Sequence, residues 1–308
     1  MISFSRRKFI AATAAAVGAG LLVKNTGSFA APLGRSIGLA LNTLESELGK
    51  DLDGTLQTVA QIGFKQVQIA STPSRIKPVV LKQAIDNAGL SCHTTHYFTP
   101  LLFGNPQGAI ERAHMFGSRY LICTTPWVAD PSRLKKSGDP KQGFLELMQS
   151  LTLDDWKWNA ERLNNIGEQV KSAGLQFGYH NHGFDFKLLD GKIAFDELLR
   201  MTDPELVAIE LDCGWAANAG HNPADYLRRY GNRIHLLHIK DIKRNTPTTS
   251  FDMHSVEIGK GDIDWSEVFT AAKAVSIKDY FVEHEPPYEQ PVMEMIKTSY
   301  DYLNQLTI

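Results

Sequence analysis

Four short segments of the sequence each end in two ionisable residues set two positions apart: His180 and His182, Glu210 and Asp212, His238 and Lys240, Glu283 and Glu285. Imidazoles and carboxylates of this kind ligate divalent cations and also move protons as general acids and bases. Each pair closes an apolar run, "LQFGYHNH", "LVAIELD", "IHLLHIK" or "YFVEHE", that reads as a buried strand, and alternation along a strand turns both members of a pair to the same side. Burying so many ionisable groups together is costly without a counter-charge, and a divalent cation is the simplest one. Taken singly, each residue has a plainer reading. A histidine at a strand end is commonly a hydrogen-bonded core residue, Glu210 or Asp212 can pair with a lysine, and "HIKD" can hold its own ion pair. The coincidence on four successive segments favours a shared metal site, with at least one of His180 and His182 as a ligand.

These segments are four of eight. From Arg35 onward, runs at 36–41, 64–70, 91–98, 120–125, 175–182, 206–212, 234–240 and 280–285 alternate with amphipathic stretches at 52–62, 79–88, 107–116, 154–173, 195–201, 223–230, 265–274 and 290–306. Gly63, Gly89, Gly117, Gly174 and Gly231 stand where helices should stop. Eight strand–helix units in one domain over residues 31–308 predict an α/β chain folded as a (β/α)8 barrel. An open doubly wound sheet is disfavoured, because no G-x-G-x-x-G follows the first strand. In such a barrel the loops after the strands converge on one pocket, so polar residues at strand C-termini are the functional candidates. That rule adds His96, near the end of the third strand, and Trp215, just past Asp212, as pocket-lining residues; Trp215 can stack on a bound molecule or simply pack. Asp185 either orients a histidine or caps the turn after it, and Asp264 should cap the helix that begins at Trp265. His114, His221, His254 and His284 read as structural or surface residues. The long polar loops from Pro126 to Leu153 and from Lys243 to Asp264 follow strands; a lid fits there, and so does a contact between copies in a homo-oligomer.

Residues 1–30 stand apart from this pattern. "SFSRRKFIAATAAAVGAGLLV" has paired Arg6 and Arg7 before a small-residue apolar run, and "SFA" at 28–30 offers a cleavage site, so the segment predicts a twin-arginine signal and a partnership with that export machinery. The uncharged run from Phe9 to Val23 is short and alanine-rich for a membrane span. An exported, periplasmic protein follows. The segment holds Arg6, Arg7, Lys8 and Lys24 and no acidic residue, so the mature chain has 28 basic against 34 acidic residues, a balance of −6. That disfavours nucleic acid as a partner. Cys92, Cys123 and Cys213 are odd in number and lie in or beside apolar runs, which suits buried free thiols better than disulfides.

"YHNHGFDF", "ELDCGWAANAGHNPADYLRRYGNRIHLLHIKD", "EIGKGDIDW" and "YFVEHE" resemble the xylose-isomerase-like TIM-barrel superfamily of sugar phosphate isomerases and epimerases, near its inosose dehydratase branch. The resemblance covers essentially all of residues 31–308 and is most specific from Glu210 to Asp241. It implies one divalent metal, manganese before cobalt, zinc or iron, held by Asp212, His238 and Glu283, with His180 in the position usually taken by a glutamate. Epimerases of this kind use two metal-bound glutamates on opposite faces of a carbon beside a carbonyl. Here Glu283 remains as a base, and its partner is to be sought among His182, Glu210, Lys240 and Glu285. The implied substrate is a keto-sugar or polyol, and the implied reaction an isomerisation or epimerisation. Dehydration or keto-glycoside lysis at the same site, and a non-catalytic sugar-binding barrel, are the alternatives. Apurinic endonucleases share the fold, but they need a three-metal cluster and a basic groove.

Overall fold

The computed structural model describes residues 31–69, 76–134, 139–243, 253–275 and 277–308. Residues 1–30, on which the export-signal expectation falls, lie outside the described residues. Eight parallel strands close a barrel: β1 (Gly38–Ala40), β2 (Gln66–Ile69), β3 (Ser91–Tyr97), β4 (Tyr120–Cys123), β5 (Gln176–His180), β6 (Val207–Asp212), β7 (Ile234–Ile239) and β8 (Asp279–Val282). Each pairs with its neighbours in chain order, and β1 closes on β8 with Gly38 opposite Phe281 and Leu39 opposite Val282. The expected (β/α)8 architecture is therefore the observed one. Strands in such a barrel are covered on both faces, which is why they read as nearly unbroken apolar runs.

The outer ring is α1 (Leu52–Ile62), α2 (Pro78–Asn87), α3 (Pro106–Phe116), α4 (Leu153–Ser172), α5 (Ala194–Met201), α6 (Pro223–Tyr230), α7 (Trp265–Ala274) and α8 (Val292–Gln305). Their starts are set by local chemistry. Thr152 and Asp155 form a reciprocal capping box at α4, and Asp264 accepts the Glu267 amide at 3.0 Å to cap α7, as expected. Gly117 ends α3 in the left-handed conformation at φ 73°, which a side chain would resist. Gly231 likewise stands where its helix stops, as expected, but at φ −57°, ψ −28°, an ordinary right-handed residue. Its space is needed instead, because a Cβ there would come within 2.2 Å of Val275 Cγ1.

Sequence periodicity passed over four short helices, Glu45–Lys50, Thr99–Gly104, Pro140–Gln149 and Cys213–Asn218. The third occupies the stretch expected to be a long polar loop. All but Pro140–Gln149 have six residues, too few to reveal a helical period. Cys92, Cys123 and Cys213 are buried free thiols, and burial holds the thiol of Cys92 up at about 11.

Candidate active site

The strand ends bring most of the candidate residues to one rim. His180 is the last residue of β5, Asp212 the last of β6, His238 the fifth residue of β7, and Glu283 the first after β8, where its amide still bonds the Ile239 carbonyl at 3.1 Å. Glu210, Asp212, His238 and Lys240 are wholly buried, and His180 and Glu283 nearly so.

Glu210 lies beneath the imidazoles and has all its bonds filled. Its Oε2 meets His96 Nε2 at 2.5 Å, His180 Nδ1 at 3.1 Å and His238 Nε2 at 3.4 Å, while Oε1 accepts from Gln68 Nε2 at 2.6 Å. The Gln68 carbonyl oxygen also contacts His238 Nε2. His96 and His238 stack face to face, with ring centroids 5.3 Å apart. This layer fixes which ring nitrogens point outward. His180 Nε2 then faces Asp212 Oδ2 at 3.9 Å, and His238 Nδ1 faces Asp212 Oδ2 at 3.7 Å and Glu283 Oε2 at 3.0 Å. Asp212 is itself aimed by a helix start: its Oδ1 accepts the Trp215 amide at 2.8 Å and caps Cys213–Asn218, leaving Oδ2 for the site. Asn42 donates to Glu283 Oε1 at 2.5 Å and fixes that carboxylate in the same way.

The largest surprise is Lys240. Its ammonium is buried and lies 2.9 Å from Asp212 Oδ2, 2.6 Å from Glu283 Oε2 and 2.5 Å from Glu285 Oε1, with the Trp215 ring centroid at 5.2 Å. Gly214 permits this approach, since a Cβ there would meet Lys240 Cγ and the Lys240 carbonyl oxygen at 2.8 Å. The adjacent Asp241 is not paired with Lys240. It accepts the Gly259 and Gly261 amides and the Trp265 indole N–H, at 2.8, 3.1 and 2.9 Å, and so pins the loop that enters α7.

Charges follow from this packing. Burial works against ionising Lys240, but Asp212, Glu283 and Glu285 outweigh it and hold the ammonium well above its ordinary range. Burial likewise opposes the Glu283 carboxylate, and Lys240 and His238 reverse that, keeping it ionised. Burial, with positive potential from His238, pushes His180 down to about 3, so its ring is neutral at pH 7. His238 is carried up to about 9 because Glu210 and Glu283 overcome its burial. Asp212 rises to about 6, first through burial.

His182 and Asp185 fall outside this donor group. His182 stacks on Phe184 with centroids 5.4 Å apart and lies tilted to Trp215 at 5.8 Å. Asp185 Oδ2 accepts the His182 amide at 2.9 Å and the Tyr179 hydroxyl at 3.0 Å, so it caps the turn rather than holding an imidazole. His284 is an internal residue bonded to Ser299 Oγ at 3.0 Å. Gln68, near the end of β2, and Asn42, two residues past β1, escaped sequence reasoning, although the rule that found His96 would have reached Gln68.

The donors fit a divalent cation. Oxygen and nitrogen atoms of Asp212, His238 and Glu283 lie within 4.8 Å of one another, close to the spacing of ligands round an ion bound at ~2.0–2.2 Å. His96, His180, Glu210 and His238 also bring donors within 4.8 Å, but Glu210 and Gln68 already engage the nitrogens on that side. A carboxylate behind each imidazole is the usual support of a metal-ligating histidine.

A closed parallel barrel whose last four strands gather imidazoles and carboxylates at their C-terminal ends defines a barrel with its site at the strand-end face. The chain belongs to the xylose isomerase-like TIM barrel family, whose profile matches residues 56–306. Among curated relatives, the inosose dehydratase of Clostridium tetani is 27% identical over 271 residues, covering 82% of this chain and 89% of the relative. A sugar phosphate isomerase/epimerase from Parabacteroides distasonis superposes with a TM-score of 0.70 at 24% identity, covering 88% of this chain and 94% of that one. The IOLI protein with a bound zinc atom superposes with a TM-score of 0.65 at 16% identity, covering 87% and 96%.

Proposed function

We propose that this protein is a divalent-metal-dependent enzyme that removes a proton next to the carbonyl of a keto-sugar or polyol, as sugar isomerases and epimerases do. One observation carries the reading: Glu210 and Gln68 engage one nitrogen of each of His180 and His238, and the other nitrogen of each ring faces Asp212 or Glu283. His180, Asp212, His238 and Glu283 are the ligand set, and two nitrogens with two carboxylates suit manganese, cobalt, zinc or iron better than magnesium or calcium. A bound cation would polarise the substrate's carbonyl oxygen and so acidify the adjacent C–H.

The chain's own residues supply the rest. Glu283, ionised at neutral pH, is the proton acceptor. Lys240, a persistent ammonium, serves as a hydrogen-bond donor and not as a base. Glu285, partly exposed and bonded to Lys240, can relay a proton to solvent. Glu210 is a positioning residue that holds His96, His180 and His238. His96, His182 and Trp215 shape the pocket floor and wall.

Elimination is the second reading, and two observations favour it. Curated relatives include inosose dehydratases, and the family resemblance puts His180 where one of the two opposed carboxylates of the epimerases stands. Incubation with a panel of keto-sugars in D2O separates the two: deuterium uptake at constant mass marks isomerisation, and loss of water or of an aglycone marks elimination. Loss of turnover in His238→Ala with sugar binding intact would exclude a purely binding barrel; absence of both turnover and bound metal in the native protein would overturn the proposal. We also infer export by the twin-arginine machinery, checked by whether Arg6→Lys together with Arg7→Lys retains the protein in the cytoplasm.

A further inference from the structure

The Lys240 ammonium is bonded to three carboxylates of unequal standing: Asp212 Oδ2 at 2.9 Å, Glu283 Oε2 at 2.6 Å and Glu285 Oε1 at 2.5 Å. The first two oxygens are the ones already turned toward the imidazoles. Asp212 Oδ2 lies 3.9 Å from His180 Nε2 and 3.7 Å from His238 Nδ1, and Glu283 Oε2 lies 3.0 Å from His238 Nδ1. A divalent ion held by that ligand set would share both oxygens with the ammonium. Two positive charges so close repel strongly in a buried site, where little water or salt screens them, and the singly charged one is the weaker competitor.

Anchors decide which groups can move. Asp212 Oδ1 accepts the Trp215 amide at 2.8 Å and Glu283 Oε1 accepts from Asn42 Nδ2 at 2.5 Å, so each carboxylate holds its other oxygen in place. The stem of Lys240 is confined as well: it packs on Gly214, where an added Cβ would meet Lys240 Cβ at 2.9 Å and Cγ at 2.8 Å. Its outer end, 5.2 Å from the centroid of the Trp215 ring, is held by charge. Glu285 differs from the other two acids. Its side chain is 31% exposed, its one ion pair among the described residues is with Lys240, and it stands outside the group of Asp212, His238 and Glu283 whose donor atoms are close enough to share an ion.

We propose that Lys240 is a displaceable counter-ion: an entering divalent cation takes Asp212 and Glu283 from it, and Glu285, a positioning residue, keeps the released ammonium at the edge of the site. The proposal rests on the reading of the rim as a cation site and adds how that site is regulated. Without the ion, the ammonium offsets the repulsion between two buried carboxylates. With it, the three N–H donors of Lys240 serve one carboxylate in place of three, which leaves donors for an oxygen of the substrate. The ion that polarises the carbonyl thereby also frees the hydrogen-bond donor beside it.

A double-mutant cycle on manganese affinity, read by isothermal titration calorimetry, tests this. Lys240→Met should bind manganese about tenfold or more tightly than the native protein, since no ammonium has to be displaced. Glu285→Gln should weaken binding by about tenfold or more, because the displaced ammonium loses its remaining partner. In the Lys240→Met background the same Glu285→Gln change should cost less than about threefold, since no ammonium is left to hold. Equal losses in the two backgrounds would make Glu285 an ordinary nearby charge, and an affinity in Lys240→Met no higher than the native one would mean that ion and ammonium sit together; either result overturns the proposal. Lys240→Gln, which still donates to the carboxylates, carries the same comparisons if Lys240→Met does not fold. Manganese bound with additive effects sinks the displacement alone, whereas no manganese bound by the native protein or by the lysine variants sinks the reading of the rim as a cation site and the displacement with it.

Discussion

Lys240 places one positive charge where the metal reading needs two, and replacing it with methionine tests that reading. In the native protein its ammonium lies 2.6 Å from Glu283 and 2.9 Å from Asp212, and at an effective dielectric of about 20 each pair is worth roughly 6 kcal/mol. Desolvation of the three buried groups offsets most of this, and removing one partner of such a cluster costs about 3–5 kcal/mol because the remaining carboxylates are stranded. For a chain of this size that is a fall in Tm of roughly 6–15 °C in the presence of EDTA. A divalent cation binding the same carboxylates should restore more stability to Lys240→Met than to the native protein, since no ammonium competes for them. Differential scanning calorimetry of both proteins, with EDTA and with manganese, reads this directly. If Lys240→Met melts within 2–3 °C of the native protein in EDTA, a change worth only about 1 kcal/mol, or gains no more from manganese, then Asp212 and Glu283 do not need a cation and the reasoning fails.

Other outcomes follow from the same geometry. Glu210→Gln keeps the size of the side chain but loses the charge behind three imidazoles, so manganese affinity should fall about 10- to 100-fold by titration, while a change under about threefold would remove Glu210 from its positioning role. Two internal histidines make the metal-free protein sensitive to acid: burial holds His180 down at about 3 and His284 at about 4, below their ordinary 6.5, so their contribution is complete above pH 6.5 and lost as pH falls below it. Each should cost about 1.4 kcal/mol per pH unit in that window by urea unfolding, and a flat profile from pH 6.5 to 5 would contradict the assignment. His238, raised to about 9, runs the other way; its contribution is complete below 6.5 and disappears as pH climbs through 9. Arg233→Met serves as a remote control. Its guanidinium bonds the Leu199 and Val207 carbonyls and Thr202 Oγ1 at 2.8–3.0 Å at the opposite face, so stability should drop by about 2–4 kcal/mol with manganese affinity unchanged, and an altered affinity would show the two faces to be coupled.

How far the sequence could be read depended on the length over which a feature repeats. Buried parallel strands are continuous apolar runs, so all eight emerged within a few residues of their observed limits, and the barrel followed from their number. Helices of six residues, such as Cys213–Asn218, show no period and stayed hidden, although this one aims Asp212. The strand-end rule put His96, His180, Glu210, Asp212, His238 and Lys240 at one face. It could not assign depth: Glu210 and Asp212 are two apart on β6, yet one ends beneath the histidines and the other beside them. Nor could it see that "HIKD" divides its charges, with Lys240 turned to the carboxylates of β6 and β8 and Asp241 turned to the amides of Gly259 and Gly261. Such partners lie tens to hundreds of residues away in the chain, and only closure of the barrel brings them together.

The imidazole at position 180 gives this site its particular character. A carboxylate there would add a further negative charge beside Glu210, beneath the imidazoles, and Asp212, Glu283 and Glu285, which surround one ammonium. A neutral ring would add a metal ligand without that charge, and it needs a hydrogen-bond acceptor behind it to fix which nitrogen is free. Glu210 meets that need at 3.1 Å, and in doing so becomes committed to the floor. The substitution therefore has two linked consequences. On the proposed function it would leave one side of the substrate without a base, and with Glu210 committed to the imidazoles it would leave Glu283, Glu285 and Lys240 together on the β7–β8 side. Acid and base functions concentrated on one flank suit removal of a proton and assistance to a leaving group on that flank more readily than transfer between opposite faces, which is why product analysis in D2O carries more weight here than any measurement of affinity.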